Sequence, residues 1–266
     1  FFTDAANGSM YTHNVSATDN NAAENTAYGF AAMDAITTGD SNTAIGKGAG
    51  SAFTTAAQNV SVGTHSMAVA VTAAQNVAIG YAAMGDADGG EAKNVAVGWK
   101  ALKAMNNSTD NYNTAVGYAA GKSTTTGVQN TLLGANAGDS ITTGSDNTAL
   151  GFKAGDALTT GANNVFIGSN AGDSITTGSS NIAIGKFALQ GEDHNVGSTA
   201  IGHETLKTQN AGADAFNTAV GYQAGNQLTT GVQNTLLGSN AGDSITTGSY
   251  NTALGFQALQ TNNVGQ

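Results

Sequence analysis

Asn147-Thr148-Ala149-Leu150-Gly151 decides the fold, because most of the chain rewrites it. With Asn as offset 0, the unit recurs at Asn25, Asn42, Asn59, Asn76, Asn94, Asn113, Asn130, Asn147, Asn164, Asn181, Ser198, Asn217, Asn234 and Asn251, 14 copies in all. Gly holds offset 4 in each, from Gly29 to Gly255, and Asn holds offset 0 in all but one. Ten of the thirteen intervals are 17 residues; Asn76 to Asn94 is 18, and Asn94 to Asn113 and Ser198 to Asn217 are 19. A short period sustained this far predicts an all-β chain built by stacking, a parallel β-solenoid of about 14 coils. The repeat domain is placed at 25–266 as one continuous β-roll. Residues 1–24 form an irregular N-terminal segment or a degenerate coil, with Asn7-Gly8-Ser9-Met10-Tyr11 as the candidate worn copy.

Composition agrees with stacking. Charged residues are 10%, well below the quarter or so of ordinary soluble domains. Pro is absent, which suits an uninterrupted hydrogen-bonded ladder, and absent Cys removes disulfides and thiolate metal sites. A net charge of −10 with only 8 scattered basic residues argues against nucleic acid. No apolar run is long enough for a membrane helix, and no basic-then-apolar leader opens the chain. Phe1 and the mid-period stop at Gln266 read as cut ends of something longer.

Gly returns at offset 14 in many copies, as in Thr142-Thr143-Gly144 and Thr229-Thr230-Gly231. Each coil therefore reads as two short extended arms, each followed by a bend where Gly supplies positive φ or close backbone approach. The structural turn glycines include Gly46, Gly80, Gly117, Gly151, Gly185, Gly221 and Gly255. Asn at offset 0 is expected to stack as an amide ladder.

In the first arm, offset 1 is Thr, Val or Ile and offset 3 is apolar in every copy, with Tyr28 the one aromatic. Those two positions share a face and are assigned to the coil interior, together with offset 11 (Ile141, Leu158, Ile175, Leu228, Ile245). Offset 2 points the other way, yet it is Ala in ten copies and never charged. A strand apolar on both faces is covered on both. This assigns Ala44, Ala78, Ala96, Ala115, Leu132, Ala149, Phe166, Ala183, Ala219, Leu236 and Ala253 to an interface between neighbouring chains, best met by a homotrimer around a fibre axis. A thin roll is otherwise near break-even, since each inward side chain contributes roughly 1.5–3 kcal/mol while ordering costs about 1–2 kcal/mol per residue.

Asn42-Thr43-Ala44-Ile45-Gly46 and Asn76-Val77-Ala78-Ile79-Gly80 resemble the head repeats of YadA-like trimeric autotransporter adhesins. The resemblance implies a trimeric, left-handed parallel β-roll with Val/Ile inside each roll and Ala toward the trimer axis. Asn217-Thr218-Ala219-Val220-Gly221-Tyr222-Gln223-Ala224-Gly225, followed by Thr229-Thr230-Gly231, resembles the repeats of phage tail fibres, particularly those of aquatic phages. The period here exceeds the adhesin head's, so the return arm is expected to bow outward. No coiled-coil stalk or membrane anchor of the adhesin kind is read in this stretch.

Sites are sparser. Gly117-Tyr118-Ala119-Ala120-Gly121-Lys122-Ser123 is one residue short of a phosphate-binding loop, and Asp139, Asp156 and Asp173 replace Lys122 in later copies. Those three carboxylates, with Asp243 at the same offset, are a candidate calcium column or simply a solvated corner. Aromatics gather at offset 5 (Phe30, Tyr81, Trp99, Tyr118, Phe152, Tyr222, Phe256) and could stack on sugars. The longer coils carry the candidate surface recognition residues Trp99, Lys103, Asn107, Asp110, Lys207 and Asp214. No catalytic set recurs, so no enzyme, cofactor or metal site is expected. The expected function is a structural fibre protein, a homotrimeric shaft or host-attachment segment of a virus tail fibre. Its partners would be other fibre or virion proteins and a cell-surface receptor, a glycan among the candidates. It would sit on a virion or at a cell surface, without nucleic acid or membrane insertion. The alternatives are the head of a bacterial trimeric adhesin and, further off, an ice-binding solenoid.

Overall fold

Three-residue strands recurring once per period define the computed structural model as an all-β parallel solenoid of about 14 coils, with no helix among the described residues. The structure describes residues 2–4, 9–11, 21–191, 194, 196–212 and 214–260. The chain divides into two compact units, Phe1–Asn130 and Thr131–Gln266. In the first, β1 (Phe2–Asp4) pairs antiparallel with β2 (Ser9–Tyr11). Then β2 runs parallel to β3 (Thr26–Tyr28), followed in order by β4 (Thr43–Ile45), β5 (Val60–Val62), β6 (Val77–Ile79), β7 (Val95–Val97) and β8 (Thr114–Val116). The second stacks β9 (Thr131–Leu133), β10 (Thr148–Leu150), β11 (Val165–Ile167), β12 (Ile182–Ile184), β13 (Thr199–Ile201), β14 (Thr218–Val220), β15 (Thr235–Leu237) and β16 (Thr252–Leu254), all parallel. A rung does precede Asn25, but Met10 pairs with Thr26, so Ser9 rather than Asn7 stands in the Asn register. Asn7 and Gly8 lie outside the described residues.

Each strand begins on the Asn ladder. The backbone N–H and Nδ2 of Asn164 both donate to Asn147 Oδ1 at 3.0 Å, and Nδ2 also donates to the Gly178 carbonyl of its own coil at 2.9 Å. Asn181 repeats the pattern on Asn164 Oδ1. One side chain thus ties two rungs together and clamps its coil shut, with every group satisfied in a buried setting. Each strand ends at the offset 4 glycine. Gly46, Gly80, Gly117, Gly151, Gly185, Gly221 and Gly255 have φ between 119° and 145°. A Cβ on Gly151 would lie 2.6 Å from the Gly168 carbonyl oxygen, so both backbone conformation and stacking distance demand glycine there.

The return arm is not a second strand. Residues at offsets 6 and 8 are left-handed, as at Lys100 (φ 54°) and Leu102 (φ 47°). Their N–H groups nevertheless bond to neighbouring coils, Lys100 to the Tyr81 carbonyl at 2.9 Å and Leu102 to the Ala120 carbonyl at 3.1 Å. These bonds hold a conformation that costs a non-glycine residue roughly 1–2 kcal/mol.

The side assigned to each strand face is corrected by the structure. In all 14 repeat strands the middle residue is buried and its two neighbours are not. Ala44, Ala78, Ala96, Ala115, Leu132, Ala149, Phe166, Ala183, Ala219, Leu236 and Ala253 fill the interior of their own coils and cannot face another chain. Offsets 1 and 3 face outward. The interior also takes offset 11 (Ile141, Leu158, Ile175, Leu228, Ile245) and offset 8. It is packed by size exchange. Leu102 and Leu189 at offset 8 accompany Ala96 and Ala183 at offset 2, whereas Leu132, Phe166 and Leu236 accompany Gly138, Gly172 and Gly242. A Cβ on Gly172 or Gly155 would lie 2.6 or 2.7 Å from the Phe166 ring, so one ring fills the space above two glycines. Alternation along the arm was legible; its sign was not, because both faces are apolar.

Ser198 breaks the ladder and is repaired locally. Its N–H still donates to Asn181 Oδ1 at 3.0 Å, but the missing amide is replaced by Gln209, buried at an offset normally aliphatic. Gln209 Nε2 donates to Ser198 Oγ at 3.1 Å and Gln209 Oε1 accepts from Asn217 Nδ2 at 3.0 Å.

Candidate functional site

The irregular 18- and 19-residue coils gather what chemistry the surface has. Trp99, at offset 5, stacks on Tyr118 one coil on, with ring centroids 4.6 Å apart and planes 3° from parallel. The period alone produces this pair, since equal offsets in adjacent coils superpose. Lys100 places its ammonium 4.2 Å from the Trp99 ring centroid. Beside them an open cleft of about 320 Å³ is lined by Lys100, Lys103, Ala104, Lys122 and Ser123. Lys103 is paired with Asp86 of the preceding coil. The cleft therefore collects three of the chain's eight basic residues.

Asn107 and Asp110 belong to other contacts of the same coil. The Asn107 N–H donates to the buried Glu91 carboxylate at 3.1 Å, and its Oδ1 accepts from Asn111 Nδ2 at 2.5 Å. Asp110 pairs with Lys93 at 2.5 Å and accepts from Tyr112 Oη at 3.3 Å. The hydrogen bond from Lys93 holds the Asp110 carboxyl below its ordinary range. Trp99 and Lys103 thus fall near one cleft, whereas Asn107 and Asp110 shape the loop. In the second unit, Lys207 pairs with Glu204 at 2.7 Å and lies 5.2 Å from the Phe187 ring centroid, near the stacked His203–Tyr222 pair. Asp214 is exposed.

Glu91 escaped sequence reading because no other coil carries it. Burial pushes its carboxyl above the ordinary range, partly opposed by the Gly89 and Asn107 N–H groups. An acid whose folded pKa is raised contributes stability below its unfolded pKa and loses that contribution as pH rises through the folded value. As pH rises from the ordinary value of about 4.5 through the raised folded value, the native chain should lose stability on this account. Glu91→Gln should flatten that part of a plot of denaturation midpoint against pH. Parallel curves for the two proteins across the window would refute it. Asp156, raised by burial and by the fields of Asp139 and Asp173, has the same sign and is common to both.

The carboxylate column is held within its own coils. Asn136 Nδ2 donates to Asp139 Oδ2 at 3.2 Å, Lys153 pairs with Asp156 at 3.4 Å, and Asn170 Nδ2 donates to Asp173 Oδ2 at 2.8 Å. Among the described residues no group of three or more acidic or His side chains is placed to hold a metal ion. The phosphate-loop look-alike lacks the helix that such a loop feeds: residues 121–125 continue the return arm.

No family model matches the chain, and neither a curated protein nor a solved structure matches it. Besides the lysine cleft, the prominent surface is apolar. Offset 3 faces outward in every coil, with Ile45 40%, Leu133 46% and Leu237 45% exposed, and offset 5 adds Phe30, Tyr81, Phe152 and Phe256. Among the described residues no helix is long and apolar enough to cross a membrane.

Proposed function

We propose that this chain is a non-enzymatic structural protein, a homotrimeric β-roll serving as shaft or host-attachment segment of a virus tail fibre. The outward aliphatic column supports this reading most. The coil interior is already filled by offsets 2, 8 and 11, yet offset 3 stays apolar in rung after rung where a solvated arm would carry Lys, Glu or Thr. A contiguous stripe of that kind marks an association surface. Identical stripes on copies of one chain can meet rung against rung, which suits a symmetric homo-oligomer. The number three follows from the resemblance of the repeats to tail fibres and adhesin heads, with the interface moved from offset 2 to offsets 1 and 3. Offset 12 threonines argue against an ice-binding lattice: Thr159 and Thr229 donate their hydroxyls to the carbonyls of Thr176 and Thr246 at 2.9 and 3.0 Å.

Light scattering tests the reading. The expected mass is near three times 26.3 kDa, and Ile45→Lys with Ile79→Lys should yield folded monomer with an unchanged circular dichroism spectrum. A folded wild-type monomer would sink the proposal. The head of a bacterial trimeric adhesin is the second reading, favoured by Asn76-Val77-Ala78-Ile79-Gly80; an outer-membrane anchor encoded downstream would select it.

A further inference from the structure

We infer that residues 105–111 form a strap that opens locally from a solenoid whose strands stay stacked, uncovering the Met105 side chain. The strap and its seat lie within the first unit, so neither the oligomeric state nor the fibre reading bears on it.

Both 19-residue coils interrupt the Asn ladder, and they repair it unequally. At Asn42, Asn59, Asn76, Asn94 and Asn130, Nδ2 donates to the preceding Asn Oδ1 at 3.1 Å. Asn113 keeps only the backbone half of that pair, its N–H donating to Asn94 Oδ1 at 3.1 Å. Its Nδ2 donates instead to Met105 Sδ at 3.8 Å, beside the usual bond to a carbonyl of its own coil, that of Gly127. Met105 stands at offset 11, the position that Gln209 holds in the other long coil. There an amide oxygen accepts from Asn217 Nδ2 at 3.0 Å. A thioether sulfur is a weak acceptor, so the same gap is bridged firmly in one coil and loosely in the other.

Closure of the coil is weakened at the same place. Asn25, Asn42, Asn59 and Asn76 each clamp to a backbone carbonyl near the end of their own coil, at 2.7 to 2.8 Å. Asn94 reaches a side chain, Asn111 Oδ1 at 3.2 Å, and Asn111 Nδ2 is in turn spent on Asn107 Oδ1. Between buried Met105 and buried Asn111, residues 106 and 108–110 are exposed. Thr124 shares offset 11 in the next coil and is fully buried, with a hydroxyl that has no hydrogen-bond partner among the described residues. An exposed segment with two weak anchors and an unsatisfied seat belongs to the low-stability end of a structure. The strands beside it are intact, since β7 and β8 pair in register from Val95 and Thr114 to Val97 and Val116. Opening therefore frees the strap and spares the rod.

The chain carries its own reporters. Met67, Met84 and Met105 are equally buried, and the first two sit in coils whose ladder bonds are complete on both sides. Dilute hydrogen peroxide gives one oxygen to a methionine sulfur as its O–O bond breaks, and the other leaves as water. On the native chain it should oxidise Met105 about tenfold faster than Met67 or Met84, read by peptide mass spectrometry. Met105→Gln copies the Gln209 repair and should slow amide hydrogen exchange across 105–111 about tenfold. Met105→Leu, which installs an aliphatic residue of the kind usual at offset 11, should not slow it. Equal oxidation of the three buried methionines would overturn the strap, and that comparison needs no variant to fold. Exchange at one common rate in the two variants would overturn the assignment of its looseness to the sulfur bond.

Discussion

Asn164→Ala should lower stability by roughly 3–6 kcal/mol, a large effect for one polar side chain. The substitution removes the donor to the Gly178 carbonyl and the acceptor for both the N–H and Nδ2 of Asn181. These groups are buried, and each group left unsatisfied costs about 1–3 kcal/mol. The natural repair at Ser198 offers a sharper version. Asn164→Ser should be nearly as damaging, whereas Asn164→Ser with Ile175→Gln copies the Ser198–Gln209 arrangement and should recover part of the loss. Urea unfolding followed by circular dichroism measures all three, compared by midpoint, since stacked repeats need not unfold in one step. A loss below about 1 kcal/mol for the alanine variant would mean that water enters and satisfies the ladder.

Phe166→Ala should cost about 3–5 kcal/mol. The ring fills the interior against Gly155 and Gly172, neither of which has a side chain to move into the vacated space. Gly172→Leu alone should also destabilise, because its Cβ would sit 2.6 Å from the ring. The two changes together reproduce the Ala183–Leu189 pairing of the next coil and should restore most of the stability. Additive losses in that double variant would contradict size exchange across the interior, since residues sharing one space are expected to couple.

The lysine cleft shows how much of the candidate site could be read in advance. Trp99 stood out as one of the offset 5 aromatics, and Lys103 because it opens the long segment of a 19-residue coil. Lys122 was legible only as a failed phosphate-loop lysine, and Lys100 not at all. Which of these meet depends on how a 19-residue coil seats on its neighbours. Gln209 carried one signal, a polar residue at an aliphatic offset in the one coil that lacks the ladder Asn.

By itself the sequence determined the period, the parallel stacking, the Asn ladder and the glycine at offset 4, since each depends on what superposes on its own copy one rung away. Alternation along the arm was equally legible. Which face is inside was decided only by tertiary structure. With Thr, Val or Ile on one side and Ala on the other, a three-residue strand is apolar both ways, and hydrophobicity has no sign to offer. Closure is set by the return arm, whose left-handed residues at offsets 6 and 8 bring Met, Leu or Gly across from offset 2. The space left there admits a methyl group, or a Leu or Phe where the facing residue is glycine. The larger aliphatics are turned outward, and with them the surface on which any partner must sit.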